Sequence, residues 1–125
     1  MTVKVVDASA IGALVFGEPD AAAMADRFAG GTLAAPALLP FEVTNIALKK
    51  IRRHPDLRTP LTTAFRLFER MAVDLFVVDH EAVLQLAEVT RLTAYDASYL
   101  WLARTLGAEL ITLDAALETA IAGLN

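Results

Sequence analysis

Cysteine is absent from the 125 residues. That removes a disulfide scaffold, thiolate zinc sites, iron–sulfur clusters and any thiol nucleophile from consideration. Long apolar runs are missing too. None approaches the roughly 18 residues that a spanning helix needs. Lys4 is the only early cation, and Val5–Val6 already runs into Asp7, so no cleavable signal is expected. These absences predict a cytoplasmic protein with no membrane segment. The turn Asp7–Ala8–Ser9–Ala10–Ile11–Gly12 lacks the glycines of a dinucleotide fingerprint, and no P-loop pattern occurs. Ser9 and Ser98 lack nucleophile-elbow glycines, and His54 and His80 have no triad context. Internal repeats, low-complexity tracts and interdomain linkers are also absent.

Apolar side chains make up 56% of the chain and charged ones 21%. Mean hydropathy is +0.50 at 13.4 kDa. This is ample for a buried core and excludes a disordered chain. The length suits one domain spanning 1–125. The apolar surplus also points to burial against a second copy of the chain. Net charge is −4, which argues mildly against a nucleic-acid partner. Lys49, Lys50, Arg52, Arg53 and Arg58 nevertheless place five of the eleven cations within ten residues. A basic stretch of that kind can grip a phosphate backbone locally.

Four short apolar runs are candidate strands: Val3–Val6, Thr32–Ala35, Leu75–Val78 and Glu109–Leu113. Runs apolar on both faces fit buried parallel strands. Between them, helical spacing predicts helices over 8–16, 20–29, 40–53, 60–72, 81–91, 96–106 and 115–122. Pro19, Pro40 and Pro60 suit helix starts, while Gly30–Gly31 and Gly107 suit helix ends. Leu61, Phe65, Phe68 and Ala72 form a helical face expected to pack in the core. The alternation predicts an α/β sandwich around a parallel sheet, with ligands bound outside the carboxyl ends of the strands.

Four acids stand out: Asp7 and Asp114 end strong strands, Glu42 lies early in a helix, and Asp96 opens an apolar one. Each has a structural account on its own. Asp114 and Asp7 suit N-caps, and Thr93 with Asp96 resembles a capping box. Glu42 has the weakest such account, because Asn45 and Lys49 share its helix face. Asp79, beside His80 and Glu81, reads as a cap. An acid surrounded by apolar side chains needs a partner, since an unpaired buried carboxylate is costly. Capping and a shared site are both open at this point, and so is a non-catalytic interaction module or receiver-like regulatory module whose acids are caps. A receiver would carry an acidic pair at the first strand and a lysine after the last, and neither is here.

The blocks Val5–Val6–Asp7–Ala8–Ser9–Ala10, Glu42–Val43–Thr44–Asn45, Tyr95–Asp96–Ala97–Ser98–Tyr99 with Leu102–Ala103, and Leu110–Ile111–Thr112–Leu113–Asp114 agree in order and spacing with one family. Together they resemble the PIN-domain ribonucleases, and within them the VapC-like toxins of bacterial toxin–antitoxin pairs. The resemblance covers nearly the whole chain. It implies a three-layer α/β/α sandwich with a mainly parallel sheet of four to five strands. It also implies catalysis by Asp7, Glu42, Asp96 and Asp114, with Mg²⁺ or Mn²⁺ as cofactor and RNA as substrate. Asp7 and Asp96 are the principal ligands on this reading, and Glu42 and Asp114 act through water or a second ion. Ser9, Asn45 and Thr112 match supporting polar positions, and Asp114 is the acid that family members vary most. Lys49, Lys50, Arg52 and Arg53 are candidate RNA contacts, although basic residues also suit a helix C-terminus. A VapB-like antitoxin and a homodimer are the implied partners.

Overall fold

A computed structural model describes residues 2–124. Its elements run β1 (Thr2–Val6), α1 (Ala8–Val15), α2 (Ala21–Phe28), β2 (Gly31–Pro36), α3 (Leu39–Arg53), α4 (Arg58–Arg70), β3 (Val73–Phe76), α5 (His80–Thr90), α6 (Ala94–Leu106), β4 (Glu109–Ile111) and α7 (Ala115–Leu124). A short 3₁₀ turn, Pro55–Leu57, joins α3 to α4. The four strands form one sheet in the order β3-β2-β1-β4, every neighbouring pair parallel.

That order follows from chain handedness. Steps from β1 to β2 to β3 move one way across the sheet, so right-handed crossovers carry α1 to α4 to one face. The return from β3 to β4 reverses direction and carries α5 and α6 to the other. Packing agrees: α1 meets α2, α3 and α4, whereas α6 lies on β1, β2 and β4 and touches α5 and α7. The expected sandwich is therefore present, with the point of reversal between β1 and β4.

The centre of the core is β1, whose Val5 and Val6 are fully buried as a two-sided strand requires. Ile11, Leu39, Val43, Tyr99, Leu102, Ile111 and Leu117 close over it from the helices and from β4. Lys4, the one cation in β1, reaches sideways and donates from Nζ to the carbonyls of Arg27 and Ala29 at the end of α2. Gly31 is required by close approach, because a Cβ there would lie 2.8 Å from the Thr2 carbonyl oxygen. Gly107 ends α6 in the left-handed region at φ 61°, as a helix terminus of this kind prefers.

Several expected boundaries move. The third strand occupies 73–76 rather than 75–78, because pairing with β2 aligns Leu33 with Val73 and Pro36 with Phe76. It is an edge strand with Leu75 and Phe76 partly exposed, not a run buried on both faces. Val78 is buried outside the sheet, against Val83 and Ala97. The last strand stops at Ile111, two residues early. On α4, Phe68 is buried and tilts against Phe65 at 6.0 Å between ring centroids. Ala72 lies beyond that helix and is exposed, so it does not extend the core face. Among the described residues no helix is long and apolar enough to cross a membrane.

Leu117 is the fully buried anchor of α7. Leu117→Ala should lower unfolding stability by about 2–5 kcal/mol, read from the urea midpoint at unchanged slope. A change under about 0.5 kcal/mol would mean that α7 is not packed as described.

Candidate active site

Parallel strands place all their carboxyl ends on one edge, and the helices that follow them start there. Asp7 immediately follows β1 and is the N-cap of α1. Glu42 sits in the first turn of α3, and Asp96 in the first turn of α6. Asp114 precedes α7, and its Oδ1 accepts the Leu117 N–H at 2.9 Å. Each acid therefore stands at the positive end of a helix, where a negative charge is favoured. The capping accounts of Asp7, Asp79 and Asp114 are all real, as is that of Thr93, whose hydroxyl accepts the Asp96 N–H at 3.1 Å.

Asp7 is 4% exposed and heavily wired. Its Oδ1 accepts the Ala10 N–H at 3.0 Å and the Ser9 hydroxyl at 2.7 Å, and its Oδ2 accepts the Thr112 hydroxyl. Each hydroxyl in turn accepts a backbone N–H, Leu113 to Ser9 at 3.0 Å and Asp114 to Thr112 at 2.9 Å. A hydroxyl whose oxygen is engaged by a donor directs its own proton outward. Both protons therefore point at Asp7, a surrounding built for a carboxylate. Ser9 and Thr112 thereby tie the loop after β4 to the start of α1.

The acids feel one another. Burial raises the Asp7 pKa above the ordinary value, against the lowering effect of the Thr112, Ala10 and Ser9 bonds, and the Asp114 charge adds to the rise. Glu42 is raised by burial and then by Asp96 and Asp7, opposed by the Tyr99 hydroxyl. Asp96 is raised by burial, then by Asp114 and Asp7. These couplings join the four acids into one electrostatic cluster. Like charges held this close favour protons or a cation.

Glu42 is half-buried, and its Oε1 accepts the Tyr99 hydroxyl at 2.6 Å. Burial, followed by the Glu42 bond and charge, pushes the Tyr99 pKa far up, so the phenol stays protonated. This contact was not anticipated, although a signal existed. Tyr99 lies three residues after Asp96 on one helix face, and a buried tyrosine needs a partner for its hydroxyl. Asn45, expected to assist Glu42, is exposed one turn further along α3.

The basic residues divide. Lys50 is engaged with Glu18 at 3.3 Å and lies 5.5 Å from the centre of the Phe16 ring. Lys49, Arg52 and Arg53 are exposed. Lys49, Lys50 and Arg53 line a cavity of about 400 Å³ with Glu18 and Asp20, and this groove reaches Ser9, the hydrogen-bond partner of Asp7.

Whether the cluster suits a divalent cation depends on its donors. Among the described residues, no three His, Cys, Asp or Glu side chains stand close enough to enclose an ion. One oxygen of Glu42 is committed to Tyr99, one of Asp114 to Leu117, and both of Asp7 accept hydrogen bonds. A zinc cage is therefore not what these residues make. An all-oxygen set of this kind fits Mg²⁺ or Mn²⁺, which retain waters and need only one or two carboxylates.

Comparison with known proteins bears out the class of fold. The PIN domain family model matches residues 4–121, and the chain belongs to that family. PIN domains are generally nucleases. The structure resembles PAE2754 from Pyrobaculum aerophilum with a TM-score of 0.77 and 25% identity, covering 95% of this chain and 84% of that one. It also shares its fold with Mycobacterium tuberculosis VapC20, a sarcin–ricin loop cleaving toxin. There the TM-score is 0.66 and the identity 16%, over 94% of each chain. No curated protein sequence matches.

A carboxyl whose pKa is higher folded than unfolded binds more protons in the folded chain. Its stabilising share is complete below the unfolded value and is lost as pH rises through the folded one. In EDTA, wild type should therefore melt below Asp96→Asn at neutral pH, and the gap should close as pH falls toward 3.8, the ordinary aspartate value. A gap that widens on acidification contradicts the coupling described.

Proposed function

We propose that the protein is a Mg²⁺- or Mn²⁺-dependent endoribonuclease and the toxin of a VapC-like toxin–antitoxin pair. The observation that carries this reading is the coupled set of Asp7, Glu42, Asp96 and Asp114 at the carboxyl edge of a PIN-family sheet. Capping explains single acids. It does not explain why Asp7, Glu42 and Asp96 share one patch, where burial and then the charges of neighbouring acids raise their pKa values.

Asp7 and Asp96 would hold the cation. Asp7 is immobilised by Ser9, Thr112 and Ala10, so its oxygens are presented without rearrangement. Glu42 and Asp114 each keep an oxygen for water or a second ion. When bound, the ion supplies charge neutralisation at the phosphodiester and acidifies the attacking water. In the hydrolysis, the water oxygen bonds to phosphorus as the carboxylates draw off one of its protons, and the bond to the leaving oxygen breaks as that oxygen takes up a proton from solvent. Lys49 and Arg53 attract the phosphates that flank the cut, along the groove that begins at Ser9. Lys50, held by Glu18, contributes less to RNA binding than its neighbours.

The loop cleaved by VapC20 suggests the substrate class, an unpaired stretch of structured RNA, whose bases are open to contact. The VapC likeness likewise suggests a VapB-like antitoxin that places a cation among the acids. Homodimerisation is part of the same proposal, and light scattering should give twice the 13.4 kDa chain mass.

Incubating the protein with total cellular RNA and mapping new 5′ ends tests the activity. A discrete set of cuts that requires Mg²⁺ or Mn²⁺ is expected. Asp7→Asn and Asp96→Asn should each reduce cleavage by about 100-fold or more while remaining folded. Mg²⁺ should also raise the melting temperature of wild type, as linkage to a bound ion demands and helix caps alone do not. Undiminished cleavage by either variant would falsify the assignment.

A further inference from the structure

Three observations converge on a residue that the proposed chemistry leaves without a role. Tyr99 is 1% exposed, its ring packed in the main core, and only its hydroxyl reaches the acid cluster. That hydroxyl donates to Glu42 Oε1 at 2.6 Å, across 57 positions of sequence and between α6 and α3. Glu42 Oε2 has no hydrogen-bond partner among the described residues.

A glutamate on a helix carries three rotatable bonds and, unheld, samples many rotamers. A tyrosine has two, and this one is locked by burial. A single bond from a rigid donor to one carboxylate oxygen therefore orients the other. Asp7 achieves the same end with two hydroxyls and an amide, and Asp114 with the first turn of α7. Among the described residues, Glu42 has only Tyr99.

We propose that Tyr99 is a positioning residue: its hydroxyl pins Glu42 Oε1 and so presents Oε2 to the hydrated cation beside Asp7 and Asp96. The inference rests on the metal-nuclease reading and adds to it the group that sets the geometry of its glutamate. Because Asp96 and Tyr99 lie one turn apart, α6 both supplies one acid and orients another. The site is complete only when α3 and α6 are docked on the same sheet edge.

Tyr99→Phe tests this, since it deletes one oxygen and keeps the packed ring. Mn²⁺ binding without RNA, followed by titration calorimetry, should weaken by about tenfold or more, as loss of a group that orients a ligand does. RNA cleavage at saturating Mn²⁺ should fall in kcat more than KM rises. In a Glu42→Gln background, removing the Tyr99 hydroxyl should change Mn²⁺ affinity less than twofold, because nothing remains to be oriented. Wild type that binds Mn²⁺ and cleaves, beside Tyr99→Phe that does both equally well, overturns the positioning role and leaves the nuclease reading standing. Equal, additive losses from Tyr99→Phe in both backgrounds would mark a merely structural tyrosine and overturn it too. A wild type that neither binds Mn²⁺ nor cleaves RNA overturns the nuclease reading and this inference with it.

Discussion

Four negative charges gathered on one edge of a small domain repel each other, and the rest of the structure is arranged so that the chain folds despite them. A parallel sheet delivers every strand to the same edge and starts the following helices there. Three of the acids sit at the starts of helices that directly follow strands, and the fourth opens α6 beside them. The helix ends lend positive potential. Burial first, and then the charges of neighbouring acids, still raises the carboxyl pKa values of Asp7, Glu42 and Asp96. On the proposed reading, a cation relieves that repulsion.

Holding a buried carboxylate still requires donors that cannot turn away. Around Asp7 this is achieved by relays in which a backbone N–H engages a hydroxyl, and the hydroxyl engages the carboxylate. The amides belong to the loop after β4, and the acid to the turn after β1. Their bonding joins the two strands between which the sheet reverses direction, the position at which α/β sheets place ligands. β4 ends early because its partner does: Val6, the last residue of β1, pairs with Ile111, and Asp7 already caps α1. Glu42, held by Tyr99, depends on a different pair of elements.

Much of this was legible in the residues. Val5–Val6 before Asp7, and Leu110–Ile111 before Thr112, mark buried strands, and Gly107 marks the end of α6. Such signals are local: burial pattern, turn chemistry and capping act within a few positions. The third strand misled because Leu75–Val78 is apolar throughout, and apolarity alone does not say which residues pair. Register came from alignment of Val73 with Leu33 on β2, and Val78 found its burial beside Val83 and Ala97 instead. Lys50 likewise belongs to a basic run in sequence, yet Glu18, 32 positions away, holds it in space.

The sequence by itself determined the class of fold, the four acids in their order, and the helix starts on which they stand, because strand burial and capping are written in neighbouring residues. Only the tertiary structure decided which oxygens are held and by what. Tyr99 and Glu42, or Thr112 and Asp7, meet through packing of separate elements on one sheet edge. A hydrogen bond depends on tenths of an ångström and on direction, and residue spacing along the chain carries neither across 57 or 105 positions.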